Sequence, residues 1–72
     1  MDKMVEKYNA LGAADRITVR AAYDFIDKQR KHGMVPRASI KKLLKMGYDQ
    51  NLVEIAATLW GKCLCPWDGK IS

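Results

Sequence analysis

The sequence predicts an all-α fold, a small bundle of three to four short helices with a non-helical C-terminal tail in which a hairpin is one option. Three observations carry this. Apolar residues recur at three- and four-residue intervals through most of the chain, glycines at 12, 33, 47 and 61 break that pattern at helix-length distances, and strand-like alternation is confined to the last eleven residues. With 72 residues, 49% hydrophobic and 29% charged, the composition is globular rather than disordered.

A chain of this length is expected to form one domain, 1–72, with residues 62–72 as the tail. It buries only about 60% of the surface its unfolded form exposes and has room for no elaborate active site. Self-association as a homodimer is the stabilising supplement that the sequence restricts least. No apolar run reaches the length of a membrane span, and the start, M-D-K-M-V-E-K-Y, lacks the apolar core of a signal peptide. Two cysteines one residue apart are not the framework of a disulfide-rich secreted domain. The expectation is a soluble, cytoplasmic protein in a reducing compartment.

Met4, Tyr8 and Leu11, with Val5 beside them, fall on one face of a first short helix that Gly12 stops. Asp15 is then the expected N-cap of the longest helix, which runs to about Lys31. Its apolar set is Val19, Ala22, Phe25 and Ile26, with Ile17, Ala21 and Tyr23 widening the buried face. Gly33 ends it after Arg30, Lys31 and His32, residues suited to the negative end of a helix dipole. Pro36 fits the first position of the next helix, whose buried side is Ile40, Leu43, Leu44 and Met46 and whose stop is Gly47. Asp49 or Asn51 caps the last helix, Asn51 having Glu54 at capping-box spacing. Leu52, Ile55, Ala56 and Leu59 give its inner face, Val53 and Trp60 broaden it, and Gly61 is its expected stop. In the tail, Pro66 and Asp68-Gly69 are turn formers, so that a small hairpin and an extended strap over the core are both open, and Trp67 is either a core plug or an anchor for a partner.

Function is most legible between Lys28 and Tyr48. This window holds seven cations (Lys28, Arg30, Lys31, Arg37, Lys41, Lys42, Lys45) and no acid. The flanks are net acidic: residues 1–27 carry five acids against four bases and residues 49–72 three against two, so the net charge of +5 arises wholly in the window. A localised basic surface favours an anionic partner without specifying which one. Arg37, Lys41 and Lys45, at i, i+4 and i+8, form a stripe expected to point away from Ile40 and Leu44, with Lys42 on its flank.

Ile40 to Leu59 also has the outline of a helix-turn-helix: a short helix, Gly47 in the turn, then a helix from about Asp49. Two features count against it. The position usually held by a small residue is Leu43, and the would-be recognition helix offers Asp49, Gln50, Asn51, Glu54 and Thr58 with no cation before Lys62. The same stretch, I-K-K-L-L-K-M-G-Y-D-Q-N-L-V-E-I-A-A, resembles the first two helices of a ubiquitin-associated domain through Ile40, Leu43, Met46, Gly47, Tyr48, Val53 and Ala56. That family's third helix has no counterpart in the eleven residues after Gly61. The resemblance implies an exposed Met46-Gly47-Tyr48 loop docking on ubiquitin. A glycine-terminated helix with ordinary core residues accounts for the same letters, and the fold reading above uses only that.

Chemistry beyond binding finds little support. Cys63, Cys65 and His32 are three soft ligands where structural zinc usually takes four, and the cysteine spacing is too short, so no metal and no cofactor are expected. One histidine, no phosphate-cradling glycine loop and no nucleophile spaced beside a base argue against an enzyme. Asp24 and Asp27 read as part of a solvated charged face. The leading expectation is a small non-enzymatic regulator that binds nucleic acid through Arg30, Lys31, Arg37, Lys41, Lys42 and Lys45, with Gln50 and Asn51 as further contacts. The competing one is a protein-binding regulator or inhibitor that sets the same face on an acidic protein surface.

Overall fold

The structure, a computed structural model, describes residues 2–68. Four helices follow one another, α1 (Lys3–Asn9), α2 (Ala13–Lys31), α3 (Pro36–Lys45) and α4 (Gln50–Gly61), then one 3-10 turn at Pro66–Asp68. No strand occurs among the described residues, so the fold is the small all-α bundle the periodicity predicts. α2 is its spine. It packs most extensively on α4 and next on α3, while α1 lies on α4 and the 3-10 turn returns to α1.

Local chemistry sets the helix starts. Asp2 caps α1 by accepting the Met4 N–H at 2.8 Å, and Pro36 takes the first turn of α3. At α4 the carboxylate of Asp49, not Asn51, is the cap, accepting from the N–H groups of Asn51 (2.9 Å) and Leu52 (3.3 Å). α2 departs from expectation. It begins at Ala13 with Gly12 as N-cap, and Asp15 sits inside the first turn, where its charge faces the positive end of the helix. Ala13 and Ala14 are strong helix formers, and glycine is tolerated at the cap, so the helix extends back past Asp15.

The ends of α2, α3 and α4 share one device. Gly33 (φ 88°) and Gly47 (φ 96°) take the left-handed conformation, and the next N–H reaches back to close the helix: Met34 to the Gln29 carbonyl at 2.9 Å, Tyr48 to that of Leu43 at 3.1 Å. α4 repeats the motif two residues later than expected. Gly61 is its last helical residue, and Cys63 (φ 57°) is the left-handed one, with the Leu64 N–H on the Leu59 carbonyl at 3.0 Å. In this motif the residue after the left-handed position commonly lays an apolar side chain on the last turn. A stop at Gly61 would put Lys62 there; a stop at Cys63 puts Leu64 there, packed against the core. Apolar contact outweighs the preference for glycine.

The buried core joins Val5 and Tyr8 of α1, Val19, Ala22 and Ile26 of α2, Leu43 of α3, and Leu52, Val53, Ile55, Ala56 and Leu59 of α4. Phe25 and Ile40 pack half-buried against it. Four residues expected on buried faces lie outside the core. Leu44 is 40% exposed, Met46 59% and Ile17 67%, and Ala21 is exposed as well. At about 100° per residue, Ile17 falls roughly 200° from Val19 and 180° from Ile26, on the opposite side of α2. α3 buries a narrower strip than its apolar letters suggest, centred on Leu43 and Ser39.

The tail is a strap rather than a free end. Trp67 stands 5.4 Å from Tyr8 and 4.9 Å from Tyr23 between ring centroids, with the Arg20 guanidinium 5.8 Å from its own ring. Of the two options for Trp67, packing against the core is the observed one. The Cys65 thiol donates to the Tyr23 hydroxyl at 3.2 Å; burial, with help from that thiol, pushes the tyrosine pKa up and keeps the phenol protonated. Lys62 meets Asp2 at 2.8 Å, tying the end of α4 to the start of α1. Through residue 68 the tail forms a turn of 3-10 helix where a hairpin was one option, and the rest of that option, 69–72, lies outside the described residues.

Candidate nucleic-acid interface

The basic window folds into the last turn of α2, the 32–35 turn, the whole of α3 and the 46–48 loop. All seven of its cations are solvent-exposed. Those on α2 have a local reason to be there, because Lys28, Arg30 and Lys31 occupy its last turn, where cations offset the negative helix end. Lys31 is also ion-paired with Asp27 at 3.3 Å, and the other oxygen of Asp27 accepts the Trp60 indole N–H at 3.3 Å. Asp27 is thus held toward α4 and lowers the positive potential at that end.

α3 is different. Its ten residues carry Arg37, Lys41, Lys42 and Lys45, no acid, and no ion pair among the described residues. A helix C-terminus accounts for Lys42 and Lys45, which lie in its last turn, but not for Arg37 and Lys41. At about 100° per residue the four fan over roughly 140°, in the order Arg37, Lys41, Lys45, Lys42, with the middle of the fan nearly opposite buried Leu43. Leu44, seven residues from Arg37, lies almost in line with it at one edge. The stripe does point away from half-buried Ile40, but it borders exposed Leu44 instead of turning its back on it.

Gln50 and Asn51 are exposed at the start of α4 and stand among acids. The Gln50 amide donates to the Glu54 carboxylate at 3.4 Å, Asp49 is engaged as the cap, and α4 contains no cation. The positive surface therefore belongs to α3 and the end of α2, and the first turn of α4 is a polar border to it. His32 caps the end of α2, Cys63 and Cys65 start the tail, and no group of three or more potential metal ligands gathers among the described residues.

Sequence reasoning missed the apolar feature beside the charge. A shallow groove of about 540 Å³ runs between α2 and the α3–α4 turn, with Ile17, Ala21, Met46, Tyr48 and Leu52 on its walls. In the Met46-Gly47-Tyr48 loop Met46 and Gly47 are exposed, whereas Tyr48 packs against the core and closes α3 with its N–H. Counting the helical angle of Ile17 from Val19 and Ile26 was the signal available for half of this groove. No protein-family model matches the chain, and neither the curated proteins nor the solved structures yield a match.

Proposed function

We propose that this protein is a small non-enzymatic regulator that binds nucleic acid by neutralising backbone phosphates with α3 and the adjoining end of α2. The observation that carries the reading is the state of the α3 cations. Four of them sit on ten residues, all exposed, with no acid on the helix and no carboxylate drawn onto them among the described residues. Like charges packed this closely repel one another, which a polyanion relieves by exchanging its condensed counterions for the protein's side chains. Lys28, Arg30 and Lys31 extend the field at lower strength. Contacts of this kind fix position and strength of binding and carry little sequence information.

The test is the salt dependence of binding to a labelled oligonucleotide. Four phosphate contacts give a slope of log K against log salt of about −3.6 on a duplex and about −2.8 on a single strand. A slope near zero overturns the proposal.

A second reading has its own observation, the exposed Leu44, Met46 and Ile17 beside the stripe. An acidic protein surface with apolar side chains would use both the charge and these residues, since apolar anchors supply most of the energy in protein interfaces. Met46→Ser separates the two. It leaves binding to nucleic acid unchanged if phosphate contacts dominate, and it weakens capture of a protein partner if the groove takes part.

A further inference from the structure

We infer that the partner is double-stranded DNA and that α3, not α4, is the helix that enters its major groove. This rests on the nucleic-acid reading above and deepens it. Three observations on different parts of the molecule support it.

The first concerns the aromatic residues. The chain has six, and none stands on α3: Tyr8 is buried, while Tyr23, Phe25, Tyr48, Trp60 and Trp67 pack partly buried against the core. Single-stranded nucleic acid is held largely by stacking bases on accessible rings, each worth about 1–3 kcal/mol. With no ring on α3 among its cations, a flexible strand lying along that helix would be held by charge alone and would still lose its conformational freedom. A duplex is ordered beforehand and carries more charge per unit length.

The second is the fan of cations on α3. A single strand lying along a helix meets one line of side chains. The two walls of a groove meet both flanks, and α3 carries cations on both, with Arg37 and Lys42 about 140° apart and Lys41 and Lys45 between them. The major groove of B-form DNA, about 12 Å wide, admits an α-helix of roughly that diameter. The major groove of A-form RNA is too narrow and deep.

The third is the charge contrast between the two helices of the turn. α3 has four cations and no acid; α4 has Glu54 and no cation, and its cap is Asp49. Inserting α4 would bring two carboxylates toward phosphates, whereas inserting α3 brings only cations. The structure therefore reverses the helix-turn-helix assignment, in which the second helix is the reader. Since α3 presents three lysines and one arginine and no Asn or Gln, any base preference is expected to be for guanine and not for adenine.

The experiment compares the full chain on a duplex DNA, a duplex RNA and a single-stranded DNA of matched length and sequence, each titrated at several salt concentrations. Duplex DNA is expected to bind at least about tenfold more tightly than either of the others at low salt, with a slope near −3.6. Arg37→Ala and Lys42→Ala, on opposite flanks, should each flatten the duplex slope by about one, while Gln50→Ala and Asn51→Ala leave it unchanged. Equal or tighter binding of single-stranded DNA overturns the inference and leaves the phosphate-binding reading standing, and so does equal binding of duplex RNA. A normal slope in Lys42→Ala excludes contact on both flanks. Failure to bind all three overturns the proposed function and this inference with it.

Discussion

Replacing glycine by alanine should have opposite consequences at two of the helix ends. At Gly47 (φ 96°) an added Cβ meets no atom within 4 Å, so the cost is conformational: about 1–2 kcal/mol for a left-handed L-residue. The reduced freedom of the unfolded chain returns about 0.4–1 kcal/mol, so Gly47→Ala should lose about 0.5–1 kcal/mol net. Gly61 is helical, has no positive φ, and a Cβ there also meets nothing within 4 Å. Gly61→Ala should therefore gain about 0.5–1 kcal/mol. Cys63 holds the left-handed position without being glycine, and Cys63→Gly reverses the two contributions estimated for Gly47, gaining about 0.5–1 kcal/mol. In a domain of this size 1 kcal/mol moves the midpoint of a thermal melt by about 4–8 °C. Melts followed by circular dichroism should thus rise for Gly61→Ala and Cys63→Gly and fall for Gly47→Ala. A fall for Gly61→Ala, or no rise for Cys63→Gly, would refute the placement of the α4 stop at Cys63.

Ser39 is fully buried and its hydroxyl has no hydrogen-bond partner, so Ser39→Ala should raise stability by about 1 kcal/mol, read as a higher denaturant midpoint at unchanged m-value. Trp67→Ala removes the ring that joins Tyr8, Tyr23 and Arg20 and should cost about 3 kcal/mol in the same measurement. The Asp2 carboxylate is held below its ordinary 3.8, first by the Lys62 hydrogen bond and then by the Met4 N–H. Because the folded value is the lower one, its contribution is complete above about pH 4 and is lost as pH falls through that value. Asp2→Asn should abolish that part of the acid dependence and leave melts near pH 2 unchanged relative to wild type.

Helix number, order and most of the core were legible because apolar spacing and capping chemistry agreed: Pro36, Asp49, Gly33 and Gly47 each stand where local rules put them. The rules failed where two of them competed. Gly61 looked like a stop because left-handed preference was weighed without the apolar contact that follows it, which Leu64 supplies and Lys62 cannot. Asp15 looked like a cap because side-chain capping was weighed without the helix propensity of Ala13 and Ala14. The helical phase of Ile17 already put it opposite Val19 and Ile26, whereas Leu44 and Met46 are apolar letters whose exposure depends on which neighbouring helix covers them, and that is a tertiary property. A strap over the core was one of two readings of the tail, but its contacts were hidden for the same reason: Trp67, Tyr8 and Tyr23 come together from three separate segments. Of the candidate interface, charge and helical phase could be read in advance. The involvement of Asp27 with Lys31 and Trp60, and of Gln50 with Glu54, could not.

The most direct measurement on the central claim is duplex DNA binding by a Lys41→Glu/Lys45→Glu double variant whose fold has been checked by its melt. Both side chains are exposed on the outer face of α3, where substitutions typically change stability by about 0.5 kcal/mol or less, so the melt should stay near that of wild type. Binding should be lost, or reduced to a residue whose salt slope is flatter by about two or more, as expected when two phosphate contacts become two repulsions. Undiminished binding by the folded double variant would contradict the account, because it would remove α3 from the interaction.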